Sequence, residues 1–346
     1  MWYIGIVRTA IARVVLLLSP VCCVPAFAQP AAPPPINLSV NRATRLLVIA
    51  PHPDDDVLGA GGLIRRVVNA GGTVGVVWTT SGDGFPEGVE TAEGISPRVA
   101  HLRPRDYETY GRLREREARS ALDSLGVKAN ALTFLGFPDE GLCELASTFL
   151  SAKAQAFKSP YTGRISPPLT EQMIRGVRYR GFDLRRELER VIVAFGPTLV
   201  VAPHPEDMHP DHCSAHIFLN EALGELSRTG RERPRVLHYL IHYEQWPLRP
   251  FDVAGDKLLP PRGFPPLEGR WVSLSLTPDE IGAKRVALLL YHSQMLVIGR
   301  FLLAFARSNE LFLEGEPASL PECWCNGQNV ATEAPPSRYR HAPPKR

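Results

Sequence analysis

The feature that most constrains this chain is an apolar run, Arg45-Leu46-Leu47-Val48-Ile49-Ala50, which stops abruptly at Pro51-His52-Pro53-Asp54-Asp55-Asp56. Six residues without polar alternation suit a strand buried on both faces. Val57 to Ala70 follows with helical spacing and ends at Gly71-Gly72, and Thr73 to Thr80 is rich in β-branched residues. Residues 45–80 therefore read as strand, turn, helix, strand: a βαβ unit with a right-handed crossover. The pattern then repeats. Helices are expected over Arg112–Leu125, Leu184–Phe195, Asp211–Leu226 and Pro278–Met295, the last with Thr277 as its N-cap. Strands are expected over Ala131–Leu135, Thr198–Ala202 and Val236–Tyr243. Alternation of this kind predicts an α/β layer fold with a mostly parallel sheet, whose sites lie beyond the carboxyl ends of the strands. Residues 81–106 read as a long loop. Residues 143–180 have no clear period and are expected as an insertion over the site.

Composition excludes several classes. Of 346 residues, 22% are charged and 44% hydrophobic, with a formal net charge of +3. This is globular, not disordered, and its near-neutral balance argues against a nucleic-acid partner. The 33 prolines point to irregular ends. Arg8 and Arg13 precede Val14-Val15-Leu16-Leu17-Leu18, and small residues ending Ala26-Phe27-Ala28 follow. That order is a secretory signal peptide, with cleavage expected after Ala28. The apolar run is short for a membrane span. Removing residues 1–28 removes two arginines and no acid, which leaves a net charge of +1. The expected organisation is a signal peptide (1–28), a proline-rich linker (29–40), one catalytic domain (41–316) and a loose tail (317–346), in an exported, periplasmic or secreted protein without a stable membrane span. Four cysteines remain, Cys143, Cys213, Cys323 and Cys325. They are too few for a disulfide framework, and Cys323-Trp324-Cys325 reads as a structural or idle pair.

Two expected strands end in histidine-bearing polar motifs. One is His52-Pro53-Asp54-Asp55. The other is His204-Pro205-Glu206-Asp207-Met208-His209-Pro210-Asp211-His212. Each alone has a plain structural reading, a solvated turn or a helix N-terminus that carboxylates complement. Together they place imidazoles and carboxylates at two strand ends. Zinc takes such ligands and in catalytic sites keeps one position open. His52 and Asp55 are close enough on a tight turn to face one ion, and His212 can supply the third ligand. Asp54 stands beside them as a base for the water that the ion activates.

With these motifs the sequence resembles the PIG-L/LmbE-like family of metal-dependent N-acetylglucosaminyl deacetylases. Arg114-Glu115-Arg116-Glu117, Leu135-Gly136-Phe137-Pro138-Asp139 and Tyr291-His292-Ser293-Gln294 are similar to further family elements, so the likeness spans about residues 44–296. The resemblance implies a Rossmann-like three-layer fold. It implies zinc, or another divalent ion, on His52, Asp55 and His212, and Asp54 as base. His209 would stabilise the oxyanion or protonate the leaving amine, and Asp211 would orient a histidine. The implied reaction frees acetate and an amine from an amino-sugar glycan, glycolipid or small conjugate. Asp56 stands where the family usually has Glu, so hydrogen bonds of that carboxylate are expected to be lost or bridged by water.

Substrate contacts are expected from Arg114, a forked donor for a sugar hydroxyl or phosphate, or else a surface partner of Glu117. Asp83 and His204 are further candidates. His216 is expected to pack or hydrogen-bond nearby, and Trp246 and Tyr243 to stack on a sugar or join the core. Two other readings compete: a deacylase of another amide, such as an acylated antibiotic, and a non-catalytic glycan-binding module. A nucleotide loop at Gly59-Ala60-Gly61-Gly62 is disfavoured, because the spacing is incomplete and the preceding carboxylates repel a pyrophosphate.

Overall fold

The computed structural model describes residues 31–92, 94, 102–249, 252–264 and 269–315. The expected signal peptide, the tail and the Cys323–Cys325 pair lie outside them. In chain order the elements are β1 (Arg45–Ala50), α1 (Asp55–Asn69), β2 (Thr73–Thr80), α2 (Pro86–Ala92), α3 (Pro104–Ser124), β3 (Leu132–Phe137), α4 (Leu142–Ala146), α5 (Gly181–Phe195), β4 (Leu199–Pro203), α6 (Pro210–Arg228) and β5 (Arg235–Tyr239). A small hairpin, β6 (Val253–Ala254) and β7 (Lys257–Leu258), precedes β8 (Arg270–Ser275), α7 (Pro278–Leu289), α8 (His292–Ala304) and β9 (Asn309–Glu314).

Seven strands form one sheet in the order β3-β2-β1-β4-β5-β9-β8. The pairs β3–β2, β2–β1, β1–β4 and β4–β5 are parallel, whereas β9 runs antiparallel to β5 and β8. Side chains alternate across the sheet. Leu46, Val48 and Ala50 of β1 join a core with α1, α3 and α7, while Leu47 and Ile49 join a core with α5 and α6. The result is the expected three-layer α/β sandwich. Strand order reverses between β1 and β4, the position where such sheets open a crevice. No helix among the described residues is long and apolar enough to cross a membrane.

Several boundaries differ from expectation for local reasons. The loop expected over 81–106 contains α2 and the start of α3, whose first turn is closed by Asp106 accepting from the Arg103 N–H at 2.8 Å. β5 stops at Tyr239, because the N–H groups of Ile241 and His242 donate to Asp207 and not to a strand. The helix expected over Pro278–Met295 breaks at Tyr291 (φ −81°, ψ 62°), and α8 continues from there. The antiparallel pair β8–β9 has no counterpart in the sequence reading. Part of the expected linker is tied down: the Ile36 N–H donates to the Ser273 carbonyl, the Ser273 N–H donates to the Pro34 carbonyl, and Ile36, Leu38 and Val40 pack on the core.

The glycine run after the first motif serves packing. A Cβ at Gly59 would lie 2.5 Å from the Tyr239 ring, and one at Gly62 2.5 Å from Leu276. Helix α1 is kinked at Ala60 (φ −144°, ψ 15°), and the Gly62 and Leu63 N–H groups donate to the Glu310 carboxylate at 2.8 and 3.0 Å. Lys284 completes the arrangement, donating to Glu310 at 2.7 Å and to the Leu58 carbonyl at 2.9 Å. Removing one member of a buried pair strands the other charge. Glu310→Leu is expected to lower unfolding free energy by about 3–5 kcal/mol, measured by urea denaturation. A Lys284→Met/Glu310→Leu double variant is expected to recover part of that loss.

Three histidines also lie in the core beside β4. His204, His216 and His238 are each 1% exposed or less, and the His238 ring is 4.8 Å from His216 and 6.4 Å from His204. Burial pushes His204 down to about 3 and His238 to about 4, and holds His216 well below its ordinary value. The mutual repulsion of the rings and the Arg233 guanidinium add to this; Asp207 opposes it at His204. An unfolded chain protonates them near pH 6.5, so it takes up more protons than the folded chain as pH falls from there, and stability declines toward pH 4. In His238→Gln the decline in unfolding free energy between pH 6 and 5 is expected to be shallower by roughly 1 kcal/mol per pH unit, read from denaturation midpoints.

Candidate active site

Because β1 and β4 are neighbours in parallel register, the turn after one and the turn after the other face each other. His52 lies in the first turn and Asp55 opens α1. His209 is the N-cap of α6, with His212 in its first turn. Asp55 Oδ2 is 3.1 Å from His52 Nδ1 and 3.0 Å from His212 Nε2, and the two ring nitrogens are 3.4 Å apart. Bonds of about 2.0–2.1 Å in a tetrahedron space zinc ligands about 3.3 Å apart, so this triangle fits one ion. Charge agrees with the geometry. Asp54, Asp55, Asp56, Asp139, Asp207 and Asp211 are all buried, as is Arg114. That surplus of buried carboxylates is what a divalent cation offsets.

Carboxylates hold the two histidines. His52 Nε2 is 3.0 Å from Asp139 Oδ1 and 3.4 Å from Asp211 Oδ2. His212 Nδ1 is 3.2 Å from Asp207 Oδ2, which also accepts from the Ile241 and His242 N–H groups. Burial works against a charge on His212, but Asp207 and Asp55 outweigh it and push its pKa up to about 9. Asp211 thus lies beside a histidine as expected, but shares it with Asp139 and uses both oxygens to accept from the Glu140 and Leu142 N–H groups at 2.7 and 2.9 Å. The orienting roles of Asp139 and Asp207 were missed. Their signals were present, an acid directly after a strand end and an acid inside the second motif. His242 was missed without a signal. Its ring is 4.7 Å from His212 and stacks on Phe301, and it has a nitrogen within 4.8 Å of donor atoms on Asp55 and His212.

Asp54 occupies a backbone conformation (φ 141°, ψ −31°) that L residues rarely adopt. The turn is held by the Val57 and Leu58 N–H groups donating to its carbonyl and by Arg114 donating to the Pro53 carbonyl at 2.8 Å. Burial pushes the Asp54 carboxyl up to about 7, against the pull of Arg114, whose Nη2 is 3.3 Å away. Strain of this kind clusters at functional sites. His209 Nδ1 accepts from the Asp211 N–H at 3.2 Å, which leaves the ring proton on Nε2, 3.4 Å from Glu140 Oε1.

Other expected residues meet different fates. Arg114 is buried and does not pair with Glu117. Its fork is spent on the Pro53 and Gly82 carbonyls and Asp54, and Glu117 accepts from Ser293. Gly82 (φ +63°) is required there, since a Cβ would lie 2.0 Å from that guanidinium. His204 is fully buried and stacks on Trp271 at 5.8 Å. Asp83 is half-buried, and burial beside Asp139 pushes its pKa well up. Asp56 keeps direct hydrogen bonds despite its shorter side chain, accepting from Trp78 Nε1 at 3.1 Å and Tyr291 Oη at 2.9 Å. His216 pairs with Asn220 at 2.7 Å. Trp246 is core, donating to the Leu259 carbonyl, and Tyr243 packs on Phe264.

The irregular stretch after α4 reaches the site's edge. A Cβ at Gly84 would lie 2.9 Å from the Tyr161 ring and 3.1 Å from Asp139 Oδ2. Cys143 in α4 and Cys213 in α6, beside His212, are disulfide-bonded cysteines, and the two helices pack together.

Comparison with known proteins agrees with this geometry. The family model PIG-L, described as GlcNAc-PI de-N-acetylase, matches residues 47–223, just over half of the chain. A 1D-myo-inositol 2-acetamido-2-deoxy-alpha-D-glucopyranoside deacetylase of Corynebacterium urealyticum is 27% identical over 267 residues, 73% of this chain and 71% of that protein. The protein of the same description from Tsukamurella paurometabola is 25% identical over 319 residues, 84% and 95% of the two chains. Among solved structures, the antimicrobial reagent A40926 pseudoaglycone deacetylase Dbv21 shares the fold, with a TM-score of 0.50 at 20% identity over 79% of this chain and 97% of that one. This chain belongs to the PIG-L family.

Proposed function

We propose that this protein is an exported, zinc-dependent amide hydrolase that removes the N-acetyl group from an N-acetylglucosamine-type amino sugar. The observation that carries the reading is the His52–Asp55–His212 triangle with Asp54 beside it in a strained turn. Membership of a family described as a de-N-acetylase, and relatives named as acetamido-sugar deacetylases, support the substrate class. His52, Asp55 and His212 are the residues that hold the ion. When bound it supplies Lewis-acid polarisation of the acetamido carbonyl and an activated water.

Asp54 takes the proton of the attacking water as oxygen adds to the carbonyl carbon. His209 Nε2–H is placed to donate to the oxygen that gains charge, or to the nitrogen as the C–N bond breaks. Acetate and the free amine are the products. Arg114 keeps the Asp54 turn in place, while Asp139, Asp211 and Asp207 fix the planes of His52 and His212. A binding module has no need of a strained, buried carboxylate beside the ligands. Export rests on the residue 1–28 pattern and is supported by the Cys143 and Cys213 oxidation, which suits an oxidising compartment.

Acetate release from a panel of N-acetylglucosamine glycosides tests the reading. Activity is expected to vanish on chelation and to return with zinc. Asp54→Asn is expected to retain metal and lose about 10²–10⁴-fold in kcat. His212→Ala is expected to lose the metal itself. A metal-loaded protein inactive on every member would overturn the substrate class. Mass spectrometry of the exported protein is expected to find Gln29 at its N-terminus.

A further inference from the structure

We propose that Glu140 is a positioning residue for His209, holding the plane in which the Nε2 proton is offered to the substrate. The inference rests on the reading of His209 as the donor in deacetylation. Glu140 is not among the residues that the sequence motifs mark for the chemistry, and its backbone argues for a purpose. It adopts φ 57°, the left-handed region where glycine is at ease and a glutamate is strained. One residue on, Gly141 would have been the simpler occupant of such a turn, yet its φ is −123°.

What the strain secures is visible in two contacts. The Glu140 N–H donates to Asp211 Oδ2 at 2.7 Å, and its carboxylate Oε1 lies 3.4 Å from His209 Nε2. A single residue of the β3–α4 loop therefore holds two members of the second motif, one through its backbone and one through its side chain. The other His209 nitrogen accepts from the Asp211 N–H, which places the ring proton on Nε2, and the Glu140 carboxylate is the acceptor that faces it. The Glu140 side chain is one-third exposed and the His209 ring one-fifth. The carboxylate thus sits at the mouth of the site and contributes little packing. Leu142 N–H on Asp211 Oδ1, at 2.9 Å, anchors the loop independently of the Glu140 side chain.

This separates the proposed role from a structural one, because the two predict opposite changes. Glu140→Gly relieves the left-handed strain and removes the acceptor. Its thermal midpoint is expected to rise by a few degrees while kcat for acetate release falls about 10-fold, with KM within about twofold of the parent. Glu140→Gln keeps an acceptor at the strained position and is expected to lie between the parent and the glycine variant in kcat. Nitrogen NMR of the His209 ring, assigned with His209→Gln, supplies a readout that needs no turnover. The Nε2-bound proton is expected to exchange slowly with solvent in the parent and faster in Glu140→Gly. Unchanged exchange in that variant, or parental kcat, overturns the proposal, as does a fall in both midpoint and kcat. Absence of acetate release by the parent itself refutes the deacetylase reading instead, and the exchange measurement still decides the contact.

Discussion

Six buried carboxylates and one buried guanidinium meet at the end of β1 and β4, and much of the surrounding structure is arranged around that imbalance. A carboxylate cannot leave water without a partner at acceptable cost. Asp207 takes three backbone N–H groups and His212, Asp211 takes two backbone N–H groups and approaches His52, and Asp139 takes the Gly84 N–H and His52. Each carboxylate thereby ends a strand, starts a helix or pins a loop. What is left over is the triangle of His52, Asp55 and His212, whose donor atoms lie close enough to hold one ion. Asp207 and Asp211, which orient the triangle's histidines, also explain why β5 stops where it does and why the β3–α4 loop turns back onto α6.

The site is as rigid as the elements that carry it. Helix α1 brings Asp55 and Asp56, and it packs so closely that glycine is needed at positions 59 and 62. Its kink would leave N–H groups unpaired in the core, and Glu310 with Lys284 satisfies them from β9 and α7. Tyr291 closes the assembly by donating to Asp56 from the break between α7 and α8. The antiparallel β8–β9 extension, remote from the first motif in sequence, thus supports the turn that carries it.

Much of this was legible beforehand. The apolar runs at Leu46–Ala50 and Leu199–Ala202 announced buried parallel strands, and the motifs following them held the three residues that the fold brings into one triangle. Periodicity failed where a long-range partner decided the outcome. The break at Tyr291 follows from its bond to Asp56, and the end of β5 from Asp207, neither of which leaves a local trace. The surroundings of Arg114 and His204 were not legible for a related reason. A forked donor on a charged helix looks like a surface group, and only the packing of Gly82 and Pro53 against it shows that it is interior. His204 belongs to a motif of site residues yet points the opposite way, onto Trp271.

The sequence by itself determined the layer class, the two strand-end motifs and the identity of the residues able to hold a metal, because strand burial and ligand chemistry are local properties of residue type. Only the tertiary structure decided which carboxylate orients which histidine, that Arg114 buttresses Asp54 from within, and that Glu140 stands strained beside His209. Those outcomes depend on which side chains from distant segments arrive in one low-dielectric space, and on hydrogen bonds between groups separated by tens or hundreds of residues. Pattern along the chain carries no information about such meetings until the sheet order is set.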